Sequence, residues 1–199
     1  MRKCGSAEMQ HFPIFSFSHF LIFSFPYSHI PTLHSSMVVL GIDTSLRSTG
    51  YGVLSVDGSR MRCLAAGNIP NKATLPLPAC LKAIHAKVAE LIAEFHPDVM
   101  SVEAVIYGKN AGTMLVLGEA RGAVLTAAAD AALPVYEYEP RRMKKALCGN
   151  GLAEKEQIQR MVKTLLNLAE LPQNDAADAL GLAICHAHSN SVSSVEKPI

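Results

Sequence analysis

The sequence predicts one α/β domain with a mixed five-stranded sheet, in which three antiparallel strands are followed by two parallel ones, flanked by helices. Three observations predict this fold class. The first three apolar segments of the body are joined by short connections, which is typical of an antiparallel meander. Two later strand-like segments alternate with long helical patterns, which indicates parallel crossovers. The chain of 199 residues is long enough for one ordinary core and hardly for two.

The predicted strands are short, apolar and rich in β-branched residues. Asp57-Gly58 is a hairpin signal between the second and third of them. The expected strands cover residues 37–43, 49–57, 60–69, 99–105 and 133–138.

The predicted helices are recognised by apolar residues at helical spacing and by their end signals. Pro97 ends the first helix, and Pro140 and Gly149 begin and end a short basic one. The expected helices cover residues 77–96, 111–131, 140–149, 153–167 and 174–189.

The composition excludes several classes of protein. Apolar residues make up 49% and charged residues 18% of the chain, which excludes a disordered protein. The formal net charge is +1, so any nucleic-acid site must be a local patch. Five cysteines without a CxxC pair argue against a disulfide framework or a structural zinc site, and for a reducing, cytoplasmic compartment.

The first 36 residues differ from the rest in composition. They hold six of the seven phenylalanines, and prolines and a histidine interrupt the apolar run. We expect residues 1–36 to be an N-terminal extension, either disordered or translated ahead of a true start at Met37. A membrane-surface tail and a targeting peptide are the alternatives. Residues 37–189 then form the domain, and residues 190–199 a flexible tail.

Four acidic residues are candidates for a shared site. Asp43 and Glu103 each lie at the end of a predicted strand, and Asp175 and Asp178 are three residues apart on one face of the last helix. Each has an ordinary explanation as well. Asp43 suits a turn, Glu103 could be solvated at a sheet edge, and acids near a helix N-terminus complement its dipole.

The four acids together favour a metal-dependent site. If the first and fourth strands are neighbours, their carboxylates lie side by side, and a last helix crossing that edge adds the other two. Four carboxylates in one place cannot all be ionised without cations. Hard oxygen ligands select Mg²⁺ or Mn²⁺, and paired ions about 3.5–4 Å apart are used by nucleases.

A cluster of basic residues lies between residues 141 and 163. On its own, such a cluster is usually a solvated helix face. Beside an acidic site, however, a DNA phosphate needs cationic side chains to offset repulsion. The cluster consists of Arg141, Arg142, Lys144, Lys145, Lys155, Arg160 and Lys163.

Four motifs resemble the RuvC family of Holliday-junction resolvases over residues 37–188. The resemblance implies a ribonuclease-H-like fold and a homodimer that nicks four-way DNA junctions symmetrically in recombination and repair. It also implies two Mg²⁺ ions per subunit, with Mn²⁺ as a substitute, and a RuvA–RuvB branch-migration complex as partner. The motifs are GIDTSLRSTGYGV (41–53), VEAVIYGKNAGTMLVLGEARG (102–122), AEKEQIQRMV (153–162) and PQNDAADALGLAICHAH (172–188).

The resemblance carries metal-ligand and catalytic roles onto Asp43, Glu103, Asp175 and Asp178. Ile106 stands where the family has an aromatic residue, and the adjacent Tyr107 could stack on a base instead. Thr44-Ser45 replaces the family's usual Pro-Gly after the first acid. The expected DNA-binding residues are Tyr107, Lys109, Arg141, Lys144, Lys145 and Lys155.

Two other functions compete with a nuclease. An actin-like ATPase also begins with a GIDTS-type strand and turn, but no second glycine-rich phosphate loop follows the fourth or fifth strand. A catalytically silent junction-binding protein would not need all four acids. The sequence therefore favours the nuclease.

Overall fold

The computed structural model of this chain describes residues 36–105, 110–191 and 197–199. Most of the expected extension, together with Tyr107 and Lys109, lies outside the described residues. The strands are β1 (Met37–Asp43), β2 (Ser48–Asp57), β3 (Arg60–Pro70), β4 (Val99–Glu103) and β5 (Val135–Tyr138). The helices are α1 (Leu77–Phe95), α2 (Ala111–Asp130), α3 (Pro140–Cys148), α4 (Lys155–Leu165) and α5 (Asn174–Ser191).

The five strands form one mixed sheet in the order β3-β2-β1-β4-β5. Pairing is antiparallel between β1 and β2 and between β2 and β3, and parallel between β1 and β4 and between β4 and β5. The hairpins therefore extend the sheet on one side of β1 and the crossovers on the other, which confirms the predicted fold class.

Local chemistry explains where the elements end. α1 ends at His96, whose N–H donates to the Ile92 carbonyl at 3.0 Å from a left-handed conformation. α4 begins later than predicted because Glu154 is its N-cap, in a reciprocal capping box with Gln157. β5 also begins later, because Ala132 has a positive φ of 51° and the chain turns there before it enters the sheet.

Helices cover the two faces of the sheet with separate apolar cores. α1 and α2 pack against one face, where Leu40 and Val102 of the strands meet Ile84 of α1. α3, α4 and α5 cover the other face, where Val39 and Ile184 are buried. Within the described ranges, no helix has the length and apolar character needed to cross a bilayer.

The backbone of α5 lies directly on β1 and β2 because three strand positions are glycines. A Cβ atom at Gly41 would lie 2.0 Å from the Ala179 carbonyl oxygen, and one at Gly50 would lie 2.0 Å from the Asp175 carbonyl oxygen. Gly52 is paired with Gly41 across the ladder and is also crowded, by Leu180. Glycine inside a strand is typical of such a close backbone approach.

We predict that Gly41→Ala destabilises the protein by about 3 kcal/mol or more, because the added methyl group would overlap a helix backbone that cannot shift alone. The measurement is urea unfolding. Gly112→Ala is the control, since its Cβ would meet only Asn110 Oδ1 at 3.4 Å. Equal stability of the two variants would show that α5 can move away from the sheet at little cost.

Candidate active site

Asp43 and Glu103 lie next to each other at the ends of two parallel strands. The β1–β4 register pairs Ile42 with Val102, so the residues that follow leave the sheet at the same edge. Both side chains are partly buried. This placement is the one predicted from the strand order.

Asp178 joins them from the first turns of α5. A cavity of about 270 Å³ has Asp43, Glu103 and Asp178 in its wall, together with Lys144 and Lys155. The apolar part of the wall comes from Pro140, Met143, Ile158 and Leu182. We call this space the carboxylate cavity.

Asp175 lies beside the carboxylate cavity and does not line it. Its Oδ2 accepts a hydrogen bond from Ser48 Oγ and another, of 2.9 Å, from Asn68 Nδ2. The acid is nevertheless close enough to Asp43 and Asp178 to disfavour their ionisation and so to raise the pKa of each. The structure thus places three of the predicted acids around one cavity and the fourth at its margin.

The carboxylates of the cavity disfavour one another's charge. Burial raises the pKa of Asp43 to about 8, and the neighbouring Glu103, Asp178 and Asp175 contribute to this increase. Burial also raises the pKa of Glu103 and of Asp178. Like charges held at a partly desolvated site have this effect. A cation in the cavity would favour the ionised forms.

The donor set fits a hard divalent cation in its chemistry. The acidic groups offer only oxygen atoms, which Mg²⁺ and Mn²⁺ prefer. Among the described residues, however, no three His, Cys, Asp or Glu side chains are grouped closely enough to hold one ion as they stand. Coordination therefore requires Asp43, Glu103 and Asp178 to close in on the ion.

Two of the predicted DNA-binding lysines lie at the carboxylate cavity. Lys144 of α3 and Lys155 at the start of α4 line it, and both lower the pKa of Glu103 and of Asp178 against the effect of burial. Arg141 and Lys145 lie exposed on α3 and do not line the cavity.

Arg142, also in the basic cluster, is directed back onto the protein. Its guanidinium lies 5.1 Å from the centre of the Tyr138 ring and donates a 3.1 Å hydrogen bond to Ser189 Oγ. One basic residue of the cluster therefore stabilises the packing of α3 on β5 and α5. The expected roles of Tyr107 and Lys109 stay predictions.

The sequence analysis missed Arg121, which fixes the end of β4. This α2 residue is only 8% exposed. Its Nη1 donates a 2.8 Å hydrogen bond to the Glu103 carbonyl oxygen, and its Nη2 is paired with Glu137 of β5. The signal in the sequence was an arginine within an alanine-rich helix, because a buried arginine needs a partner.

The sheet order and the acids at the ends of β1 and β4 and on α5 define a ribonuclease-H-like nuclease. The profile of the family described as "Crossover junction endodeoxyribonuclease RuvC" matches residues 39–186. The chain belongs to the RuvC family of crossover junction endodeoxyribonucleases.

Individual relatives agree with this assignment. The chain is 45% identical over 163 residues to the RuvC of Geobacter sp. strain M21, a match that covers 82% of this chain and 99% of the relative. It is 50% identical over 153 residues to a RuvC of Vibrio cholerae serotype O1, covering 77% of this chain and 88% of the relative.

A solved structure of Thermus thermophilus RuvC in complex with a Holliday junction substrate has the same fold. Its TM-score is 0.77 at 36% sequence identity, and the match covers 82% of this chain and 99% of that one. This similarity confirms the ribonuclease-H-like fold that the sequence motifs imply.

We predict that Asp43→Asn stabilises the protein in a chelator at pH 8. Folded Asp43, with its pKa raised to about 8, keeps its proton up to that pH, whereas the unfolded residue loses it near its ordinary value of 3.8. The folded state therefore binds more protons between these values, and the parental protein loses stability as the pH rises through this window. We expect the variant to be more stable by about 2 kcal/mol at pH 8 and by much less at pH 5.

The measurement is urea unfolding at both pH values. Asp57→Asn, in the exposed turn between β2 and β3, is the matched control and should follow the parental protein. If Asp43→Asn also followed the parental protein at both pH values, Asp43 would not be held at a desolvated, acid-crowded position.

Proposed function

We propose that this protein resolves four-way (Holliday) DNA junctions by paired symmetric nicks in recombination and repair. The observation that carries the proposal is the carboxylate cavity, in which three acids and two lysines from distant parts of the chain meet. Membership of the RuvC family supports it, as does the junction complex of the Thermus thermophilus relative.

Asp43, Glu103 and Asp178 would hold Mg²⁺, with Mn²⁺ as a substitute, and Asp175 would assist from the margin, with two ions per subunit. Such ions activate a water molecule and stabilise the leaving oxygen of a phosphodiester. The side chains of Lys144 and Lys155 would attract the DNA backbone and offset its repulsion by the acids.

We also propose that the chain acts as a homodimer, because symmetric nicks need two equivalent sites. α2 offers a surface for this contact. Leu115 is 66% exposed, and there is open space in front of Gly118 and Gly122 on the same helix. A RuvA–RuvB branch-migration complex would supply the junction to this dimer.

We predict that Asp43→Asn, Glu103→Gln and Asp178→Asn each lower the junction nicking rate by at least about 100-fold and leave junction affinity within about 3-fold of the parental value. The amides keep the size of the side chain but remove a charge needed by the cation. Asp175→Asn should be milder, because this acid does not line the cavity.

The measurement is single-turnover nicking of a synthetic four-way junction with Mg²⁺, together with a binding assay in Ca²⁺. Linear duplex and a chelator are the controls. Substantial nicking by any of the three variants would remove that residue from the site. Tight binding by a parental protein that does not nick with Mg²⁺ or Mn²⁺ would instead identify a silent junction-binding protein.

We predict that Lys144→Ala and Lys155→Ala weaken junction binding and lower the slope of log affinity against log salt by about one for each phosphate that the variant no longer neutralises. The measurement is junction affinity across a salt series. Lys82→Ala is the matched control, because Lys82 is exposed on α1, which packs on the opposite face of the sheet. An unchanged slope in the cavity variants would assign the phosphate contacts to other residues.

A further inference from the structure

Asp175 is held by two polar side chains that the motifs of the sequence do not include among functional residues. Ser48 and Asn68 belong to the antiparallel pair β2 and β3. Ser48 Oγ donates to Asp175 Oδ2, and Asn68 Nδ2 donates at 2.9 Å both to that carboxylate oxygen and to Ser48 Oγ. The three side chains therefore form a closed hydrogen-bonded group.

Both hydrogen bonds end on the same oxygen of Asp175. The hydrogen bonds that Asp175 accepts from described side chains all end on Oδ2, so Oδ1 is the oxygen left available. The main chain is fixed as well, because the Asp175 carbonyl lies against Gly50 of β2. Side chain and backbone are thus held by the same pair of strands.

The amide of Asn68 is oriented at the expense of its own oxygen. Asn68 Oδ1 is buried and has no hydrogen-bond partner among the described residues. A buried unsatisfied oxygen is unfavourable. Turning the amide over would place its oxygen against two acceptors, Asp175 Oδ2 and Ser48 Oγ, and would break both donated hydrogen bonds. The requirement to donate to Asp175 therefore decides the orientation of Asn68.

We propose that Ser48 and Asn68 are positioning residues that engage Oδ2 of Asp175 and leave Oδ1 as the oxygen that reaches a divalent cation at the carboxylate cavity. The inference rests on the proposed function, since it assumes that this cavity binds such a cation. Outer partners that orient a ligating side chain commonly change metal affinity when they are removed.

The test is a double-mutant cycle on Mn²⁺ affinity, measured by electron paramagnetic resonance of free Mn²⁺ without DNA. Ser48→Ala and Asn68→Ala should each raise the Mn²⁺ dissociation constant by about 10-fold, the lower end for outer partners of a metal site. In an Asp175→Asn background the same substitutions should change it by less than about 2-fold, because they act only through Asp175.

Two further variants separate positioning from general stability. Ser48→Thr keeps the hydroxyl group and should retain parental Mn²⁺ affinity. Asn71→Ala removes a nearby asparagine whose amide donates to the Leu46 and Cys80 carbonyls. It should lower the melting temperature, and its effect on Mn²⁺ affinity should be no larger than about 2-fold.

The proposal is overturned if Ser48→Ala and Asn68→Ala leave Mn²⁺ affinity unchanged, or if they lower it equally with and without Asp175→Asn. Failure of the proposed function has a different signature. In that case the parental protein would fail to nick the four-way junction, or Asp43→Asn and Asp178→Asn would bind Mn²⁺ as the parental protein does.

Discussion

The close contact between the backbone of α5 and the strands β1 and β2 is the constraint on which the site depends. Gly41 and Gly50 allow the helix to rest on the sheet without intervening side chains. Only at this distance does the start of α5 bring Asp178 to the ends of β1 and β4. The acids are thus placed by the main chain, which leaves them little freedom to separate despite the raised pKa values of Asp43, Glu103 and Asp178.

The parts of the structure that repeat along the sequence could be predicted from it. Apolar periodicity and short connections predicted the sheet, and the position of Asp43 and Glu103 at strand ends predicted that they would meet. Gly41, Gly50 and Gly52 were also visible as glycines inside strand patterns, which is a known signal of close approach. Their meaning was missed because the partner, α5, lies far along the chain, at residues 174–191.

The remaining features depend on neighbours that no local pattern reveals. Arg121 meets the Glu103 carbonyl only because α2 packs beside the end of β4. Within the basic cluster, helical phase and packing decide that Lys144 lines the cavity while Arg142 turns back to Ser189. A count of charges could predict a basic surface but could not divide it into residues for DNA and residues for the fold.

The placement of Asp175 and Asp178 on α5 also has a consequence for biosynthesis. A ribosome-bound chain that has not yet released residues 174–191 can already contain every strand of the sheet. It still lacks two of the acids and the helix that packs over Gly41 and Gly50. A nascent or prematurely terminated product of this kind would carry the basic cluster without a complete set of acids, so it could contact DNA but would not cut it.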